Sequence, residues 1–344
     1  MLALRLYAPE VSSPPPAEIY RQATLREAFY VHVEPALVGK SPATLNEYLK
    51  ALDHWESFSD NPPIGEIDDL VCERFRKDAF DDDEFSPATV NKWMRHLTAI
   101  LNRLGPKSPR NKKGKNILTE IPFFESLPEQ EPDPVCLTVQ EINAFYNHCR
   151  VADWPNPRRS GCQASDFWRA AVVMLITYGP RRSDLFRIKW KQVDFDRETI
   201  GFRAKKTGKW HQFPMTPVVK AHLQEIHSDR EFVLPVTSSN HYLYRTFQEI
   251  QHAAKIKRGD GEPYGFQNFR QTCAARADEH IPGTAAVILG HAISSVTRDN
   301  YLGQQALLAA CRCIKTIAQP SAFEAILSRQ SADYQQPEQF SGSD

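Results

Sequence analysis

The tetrad Ser-Pro-Ala-Thr occurs twice, at Ser41–Thr44 and at Ser86–Thr89, and each time it opens a stretch with apolar residues at helical spacing. Serine satisfies free N–H groups at a helix start, and proline suits the first helical position because an N–H there would have no partner anyway. The tetrad therefore fixes two helix beginnings. After the first, Leu45, Tyr48, Leu49, Leu52 and Trp55 fall on one face; after the second, Val90, Trp93, Met94, Leu97, Ile100, Leu101 and Leu104 do. A weaker helical stretch, Ile67 to Phe80, lies between them. Apolar stripes of this width must cover one another, so residues 24–105 are expected to form a small helical bundle. Two capped helices need no function of their own. Their outer faces carry Lys50, Lys92, Arg95 and Arg103, which suit a solvated surface or a contact with phosphates.

At 344 residues the chain is long enough for two domains. Residues 1–23, with Pro14-Pro15-Pro16 and few apolar positions, are expected to form a flexible N-terminal arm. Residues 106–136 are expected to be a linker, basic and then acidic. Its first part holds Lys107, Arg110, Lys112, Lys113 and Lys115 with no acid among them, broken by Pro106, Pro109 and Gly114. A basic extended strap suits a phosphate backbone, and a solvated linker suits the same composition. Glu125, Glu129, Glu131 and Asp133 then mark the boundary.

The second domain is expected over residues 137–325. Thr138-Val139-Gln140-Glu141 is a capping box opening a helix with Ile142, Phe145 and Tyr146 on one face. A very apolar helix from about Ser165 to Tyr178 stops at Gly179, and Pro180-Arg181-Arg182-Ser183-Asp184-Leu185 follows directly. Arginine beside a buried helix end ordinarily has an acceptor. Thr199 to Met215 alternates as a hairpin, with Ile200, Phe202 and Ala204 on the way out and Phe213 and Met215 on the way back. Its tip is Lys205-Lys206-Thr207-Gly208-Lys209, a composition that also serves plain edge protection. Helices are expected near 217–227 and 240–255, and Tyr264 to Arg276 reads as a turn into another helix with Arg270 near its start. The run Ala285 to Leu289 is a short buried helix with Gly290 as its left-handed stop. His291 emerges behind that stop, and Tyr301 follows ten residues later in a polar, softer segment. A helix from Ala306 to Ala318 and a disordered tail over 326–344 complete the chain.

Composition narrows the function classes only a little. Net charge is zero, so only local patches speak for or against nucleic acid. No apolar run is long enough to span a bilayer, and the N-terminus is too soon broken for a secretory signal. Seven scattered cysteines with no C-x-x-C pair indicate neither a disulfide framework nor a zinc site, and fit a reducing cytosol.

Arg181, Lys206, Arg270, His291 and Tyr301 together have the order and spacing of the tyrosine recombinase, or phage integrase, family. Gly179-Pro180-Arg181-Arg182-Ser183-Asp184-Leu185 resembles its first-arginine box, Lys206-Thr207-Gly208 its hairpin lysine, and Phe269-Arg270-Gln271-Thr272 its second-arginine box. Leu289-Gly290-His291 through Tyr301 is similar to the histidine and nucleophile boxes. The resemblance runs from about residue 24 to 325. It implies a mostly α fold with a small β-hairpin or sheet, made of a helical SAM-like core-binding domain and a mixed α+β catalytic domain.

It also implies a chemistry. Two guanidinium groups, Arg181 and Arg270, bind the anionic oxygens of a phosphodiester and stabilise a pentavalent transition state, with His291 as a third donor. Tyr301 attacks phosphorus, forming a 3′-phosphotyrosyl bond and freeing a 5′-hydroxyl, which Lys206 protonates. The covalent bond conserves the phosphodiester's energy, so rejoining needs neither metal nor ATP, and no cofactor is expected. Asp184 orients the first box. The sequence departs from the family at two points. Gln267 stands where the family has His or sometimes Lys; an amide can donate to a phosphate oxygen but cannot shuttle a proton. The interval from His291 to Tyr301 is one residue longer than the commonest spacing. The implied activity is that of a site-specific recombinase or integrase on double-stranded DNA, acting as a homotetramer on paired sites and as a monomer or weak oligomer when free. Directionality or accessory factors are further implied partners, with a cytoplasmic, nucleoid-associated location and no membrane. A binding-only paralogue of the same fold and a topoisomerase IB-like relaxing enzyme are the alternatives, and the helix after Tyr301 docks either on a neighbouring protomer or on its own domain.

Overall fold

The structure is a computed structural model that describes residues 20–82, 84–130, 133–236, 240–290 and 299–333, the side chains of 299–302 and 330–333 excepted. The chain divides into two compact units, Met1–Pro132 and Asp133–Asp344. Most of the expected arm, residues 1–19, lies outside the described residues, as do 334–344 of the expected tail.

The first unit is helical. Helices α1 (Leu25–Ala28), α2 (Pro42–Phe58), α3 (Asp69–Asp81) and α4 (Pro87–Leu104) enclose a core containing Leu25, Phe29, Leu52, Trp55, Phe75, Leu97 and Leu101. Ser41 and Ser86 accept the N–H groups of Thr44 and Thr89, as the tetrads require. The unit starts earlier than expected: Ile64 donates its N–H to the Ala23 carbonyl at 2.9 Å, and the Tyr20 ring packs edge-on to His32 at 4.6 Å.

A larger correction concerns the linker. Ile117, Leu118, Phe124 and Leu127 are buried in the first unit's core, so this part of residues 106–136 belongs to the bundle. Asn91 explains why. Its amide nitrogen donates to the Leu127 carbonyl at 2.8 Å, and its amide oxygen accepts the Leu127 N–H at 2.8 Å. An asparagine side chain thus replaces a strand partner for a proline-rich segment that cannot make its own ladder. The twin position in the first tetrad helix, Asn46, is exposed, so the repeat is one of capping only. Asn91→Ala is expected to cost about 2–3 kcal/mol by leaving two buried main-chain groups unpaired, and to open residues 118–130 to protease. Asn46→Ala should stay within about 0.5 kcal/mol of wild type. Limited proteolysis and urea denaturation of both variants check this.

The second unit surrounds the apolar helix α6 (Ala164–Tyr178), which is buried along most of its length. Helix α5 (Val139–His148) opens with the expected capping box, Thr138 and Glu141 exchanging backbone and side-chain hydrogen bonds. The short α7 (Arg182–Leu185) follows α6, and strands β1 (Val193–Asp194), β2 (Thr199–Arg203) and β3 (Trp210–Pro214) form an antiparallel sheet in that order. Ile200 faces Phe213 and Phe202 faces His211 across β2 and β3. Helices α8 (Pro217–Glu225), α9 (Asn240–Ala254), α10 (Phe266–His280), α11 (Thr284–Ile288), α12 (Asp299–Thr316) and α13 (Ser321–Asp333) complete the unit. Mostly helical with one small sheet, this is the expected fold class.

Two boundaries differ from the sequence reading. Helix α12 begins at Asp299 rather than Ala306, so the backbone of Tyr301 lies in its first turn and not in a softer segment before it. Helix α13 runs through position 326, where the disordered tail was expected; Phe323 and Ile326 are buried, and Asn143 accepts the Ala322 N–H at 3.1 Å. Ala310, Cys313 and Ile314 of α12 are buried within the chain's own second unit, with the Cys313 thiol directed at the Ala277 carbonyl of α10, while Leu307 and Leu308 are exposed. Among the described residues, no helix is long and apolar enough to cross a membrane.

Candidate active site

Two helix stops build the floor of the site. Helix α6 ends at Gly179 with φ +54°, and α11 is followed by Gly290 at φ +67°. These left-handed positions suit glycine, and at Gly179 space requires it too: a Cβ would stand 2.8 Å from Leu289 Cδ2 and 3.2 Å from Cys273 Sγ. Here the ends of α6 and α11 meet α10, and Arg270 bridges them. Its guanidinium donates to the Gly179 carbonyl and, at 2.8 Å, to the Leu289 carbonyl. The residue is 4% exposed, a burial that arginine tolerates only with acceptors in place. Burial first, and the neighbouring Arg181 guanidinium second, push its pKa down to about 10. It still carries its charge at pH 7, in a setting where an anion offsets the cost.

The turn into α10 is fixed from behind. The Gln251 amide donates to the Tyr264 carbonyl at 3.0 Å and accepts its N–H at 2.7 Å, and the Tyr264 hydroxyl donates to Glu141 at 2.9 Å. Gln267 and Arg270 are thereby set one turn apart on the same face of a helix. Arg181, Arg182, Tyr244, Gln267 and Arg270 line one cleft. Arg182 is turned towards α9, its Nη1 donating to Asn240 Oδ1 at 3.0 Å and its guanidinium lying 5.3 Å from the centre of the Tyr244 ring. Arg181 has Asp184 Oδ2 at 3.9 Å, and Asp184 is buried. The other Asp184 oxygen accepts the Lys205 N–H at 2.9 Å, so one carboxylate faces the first arginine and holds the base of the hairpin tip.

The structure thus brings Arg181, Gln267 and Arg270 together. Lys206 sits in the exposed turn after β2 and does not line that cleft; its connection runs through Lys205 and Asp184. His291 lies outside the described residues, and of Tyr301 only the backbone is described. In the first unit Lys107, Arg110, Lys112, Lys113 and Lys115 are all exposed. Lys92 is paired with Glu47, and Arg95 has Glu129 at 3.7 Å.

Sequence reasoning missed His211. Its ring stacks on Phe202 with centroids 5.2 Å apart, facing Gly290 and in the field of Asp184, Arg270 and Arg181. The signal was present: the alternation through Met215 and Phe213 leads back to 211 on the same face.

Comparisons with known proteins bear on the family and the fold. The phage integrase family model matches residues 136–306. The fold is similar to a lambda integrase tetramer bound to a Holliday junction, with a TM-score of 0.57 at 19% identity over 86% of this chain and 85% of that one. It is similar to XerH site-specific recombinase bound to difH substrate in a pre-cleavage complex, with a TM-score of 0.54 at 15% identity over 73% and 74%. It also resembles the Tn1549 transposon integrase in complex with transposon right end DNA, with a TM-score of 0.55 at 15% identity over 84% and 100%. No curated protein matches the chain in sequence. Family match and fold meet on the unit that carries the arginine cleft, and the chain belongs to the phage integrase family of tyrosine recombinases.

Proposed function

We propose that the chain is a site-specific DNA recombinase that cleaves and rejoins duplex DNA through a 3′-phosphotyrosyl bond at Tyr301. The observation that carries this reading is Arg270, a buried guanidinium seated on two main-chain carbonyls with Arg181 and Gln267 in the same cleft. Among the described residues no carboxylate forms an ion pair with this cation, Asp184 acting on it only through its field, and it is suited to an oxyanion that forms beside it. A preorganised donor of this kind lowers the barrier by about 3–4 kcal/mol. Arg181 and Arg270 hold the non-bridging oxygens, the Gln267 amide and His291 add donors, and Lys206 protonates the departing 5′-oxygen. Exchange conserves the bond energy, so neither metal nor ATP is needed. Lys92, Arg95 and the exposed strap Lys107, Arg110, Lys112, Lys113 and Lys115 contact the DNA backbone from the first unit, with the strength falling steeply in salt. Four copies act on paired sites, a number that matches the lambda integrase tetramer bound to a Holliday junction, and the free protein is a monomer or weak oligomer. A cytoplasmic, nucleoid-associated location follows from that substrate.

The test is to incubate the protein with a pool of randomised nicked duplexes and sequence what becomes covalently attached. A recurring sequence joined through its 3′-phosphate supports the reading. Retention of DNA with no covalent product would favour a binding-only protein of the same fold, the reading that Gln267 speaks for. Gln267→His restores the family's imidazole at this position, so cleavage by that variant should equal or exceed wild type by up to about tenfold. A collapse in single-turnover rate would mean the amide has a specific partner.

A further inference from the structure

We propose that Arg182 binds the phosphate next to the one that Arg181 and Arg270 hold, with the deoxyribose between the two phosphates lying on a wall made by Tyr244 and Phe266. This deepens the recombinase reading above and rests on it for its substrate, duplex DNA. Arg181 and Arg182 are consecutive but leave the main chain in different settings. Arg181 precedes α7 in extended conformation, and Arg182 is the first residue of that helix. Their side chains part accordingly. Arg181 has Asp184 Oδ2 at 3.9 Å, while Arg182 Nη1 donates to Asn240 Oδ1 at 3.0 Å and its guanidinium lies 5.3 Å from the centre of the Tyr244 ring. Both arginines line the cleft that also holds Gln267 and Arg270. Among the described residues, no carboxylate pairs with Arg182 and no acceptor meets its remaining side-chain N–H groups.

One phosphate does not need all of this. Two guanidinium groups and an amide suffice for one set of non-bridging oxygens, which leaves Arg182 over. The cleft holds about 330 Å³, within the range of sites that enclose a whole small ligand. The rest of its lining, Gly265, Phe266 and Tyr244, carries no charge. Tyr244 stands edge-on to Phe266 at 5.9 Å, and Phe266 is stacked at 4.2 Å on Phe247, which belongs to the core. Tyr244, 42% exposed, is the solvent end of this column. The wall is therefore held from the core, and it fixes Arg182 in turn, because the guanidinium lies on its outermost ring. Along one strand of a duplex a charge recurs about every 3.4 Å of helix axis, so a site that takes one phosphate has the next at its edge. Cation, apolar wall and cation match phosphate, sugar and phosphate. Asn240 and Tyr244 are positioning residues: they hold the Arg182 fork while leaving N–H groups for an oxyanion.

The experiment uses the full chain and a duplex that wild type retains from the randomised pool, made again with a neutral methylphosphonate at each phosphate in turn. Equilibrium binding is read for wild type, Arg182→Ala, Arg270→Ala, Tyr244→Leu and Tyr244→Phe. Arg182→Ala should bind the unmodified duplex about 10- to 100-fold more weakly, the size of a charge-assisted contact. The slope of its log affinity against log salt should become shallower by about one. In the scan, Arg182→Ala should lose its sensitivity to one phosphate and Arg270→Ala to the phosphate beside it. Tyr244→Leu should weaken binding at the same phosphate as Arg182→Ala, and Tyr244→Phe, which keeps the ring face, should recover most of that loss. The inference is overturned if Arg182→Ala binds the unmodified duplex as tightly as wild type, or keeps the wild-type sensitivity at every position. It is overturned equally if Arg182→Ala and Arg270→Ala lose sensitivity to the same phosphate, or if Tyr244→Phe recovers nothing. A wild type that tolerates neutralisation of both neighbours of the cleaved phosphate overturns it too, with no variant involved. The scan itself does not depend on cleavage. If wild type forms no covalent product with any duplex while the two arginines still map to adjacent phosphates, the recombinase reading fails and this inference stands. If wild type retains no duplex, both fail.

Discussion

Tyr301→Phe is expected to bind duplex DNA as wild type does and to form no covalent adduct on a nicked substrate, a fall of roughly 10⁴-fold or more. The change removes one oxygen. Tyrosine and phenylalanine have nearly the same helix propensity, so the first turn of α12, where residue 301 lies, is not weakened. Duplex binding by proteins is in general spread over many phosphate contacts, so loss of one phenol should not remove it. Denaturing gels separate the outcomes: a band shifted by attached DNA in the variant would mean that another residue is the nucleophile. Retained adducts together with lost binding would be inconsistent with any role for Tyr301 in attack.

Arg270→Ala is the second large effect. The two carbonyls that Arg270 serves, of Gly179 and Leu289, lose their donor together, and the cleft loses its most buried charge. Cleavage should fall by about 10³-fold, in line with loss of a preorganised donor. Arg270→Lys should recover little of it. An ammonium keeps the charge but is a point donor and cannot present two parallel N–H groups to acceptors on separate helix ends. Stability moves less simply. The unpaired carbonyls cost about 1–3 kcal/mol each, while removing a cation that burial and Arg181 already disfavour returns part of that. Thermal denaturation beside single-turnover cleavage separates the two: a variant that melts near wild type yet does not cleave marks Arg270 as a group acting on the phosphate. If Arg270→Ala cleaves at the wild-type rate, the cleft is not where the reaction occurs.

The parts of this molecule that were legible in the sequence are those set by local chemistry. The Ser41 and Ser86 caps, the Thr138–Glu141 box and the stops at Gly179 and Gly290 each follow from backbone rules acting over a few residues. Arg181 and Arg270 were named through the family resemblance; the local chemistry alone says that an arginine behind the buried end of α6 needs an acceptor and does not choose between Arg181 and Arg182. What was hidden depends on partners distant along the chain. Asn91 is followed by nothing that points to Leu127, so residues that pack into the first unit read as a linker. Strand β1 has two residues, too few to show alternation. The start of α12 was placed late because Asp299 and Asn300 are polar and give no apolar periodicity in its first turn. His211 was passed over because histidine neither adds to nor breaks a hydrophobic count, although its parity with Phe213 places it on the inner face.

Asp184 has a consequence for how the two halves of the chemistry keep time. One oxygen of its carboxylate faces Arg181 and the other anchors the main chain at Lys205, next to the lysine on the turn. Because the carboxylate is rigidly planar, a displacement of that turn cannot leave the environment of Arg181 unchanged. On the proposed mechanism, the grip on the phosphate and the delivery of a proton to the departing strand would therefore be levered from a single pivot, and a molecule with its lysine swung out would also be one whose first clamp is out of trim.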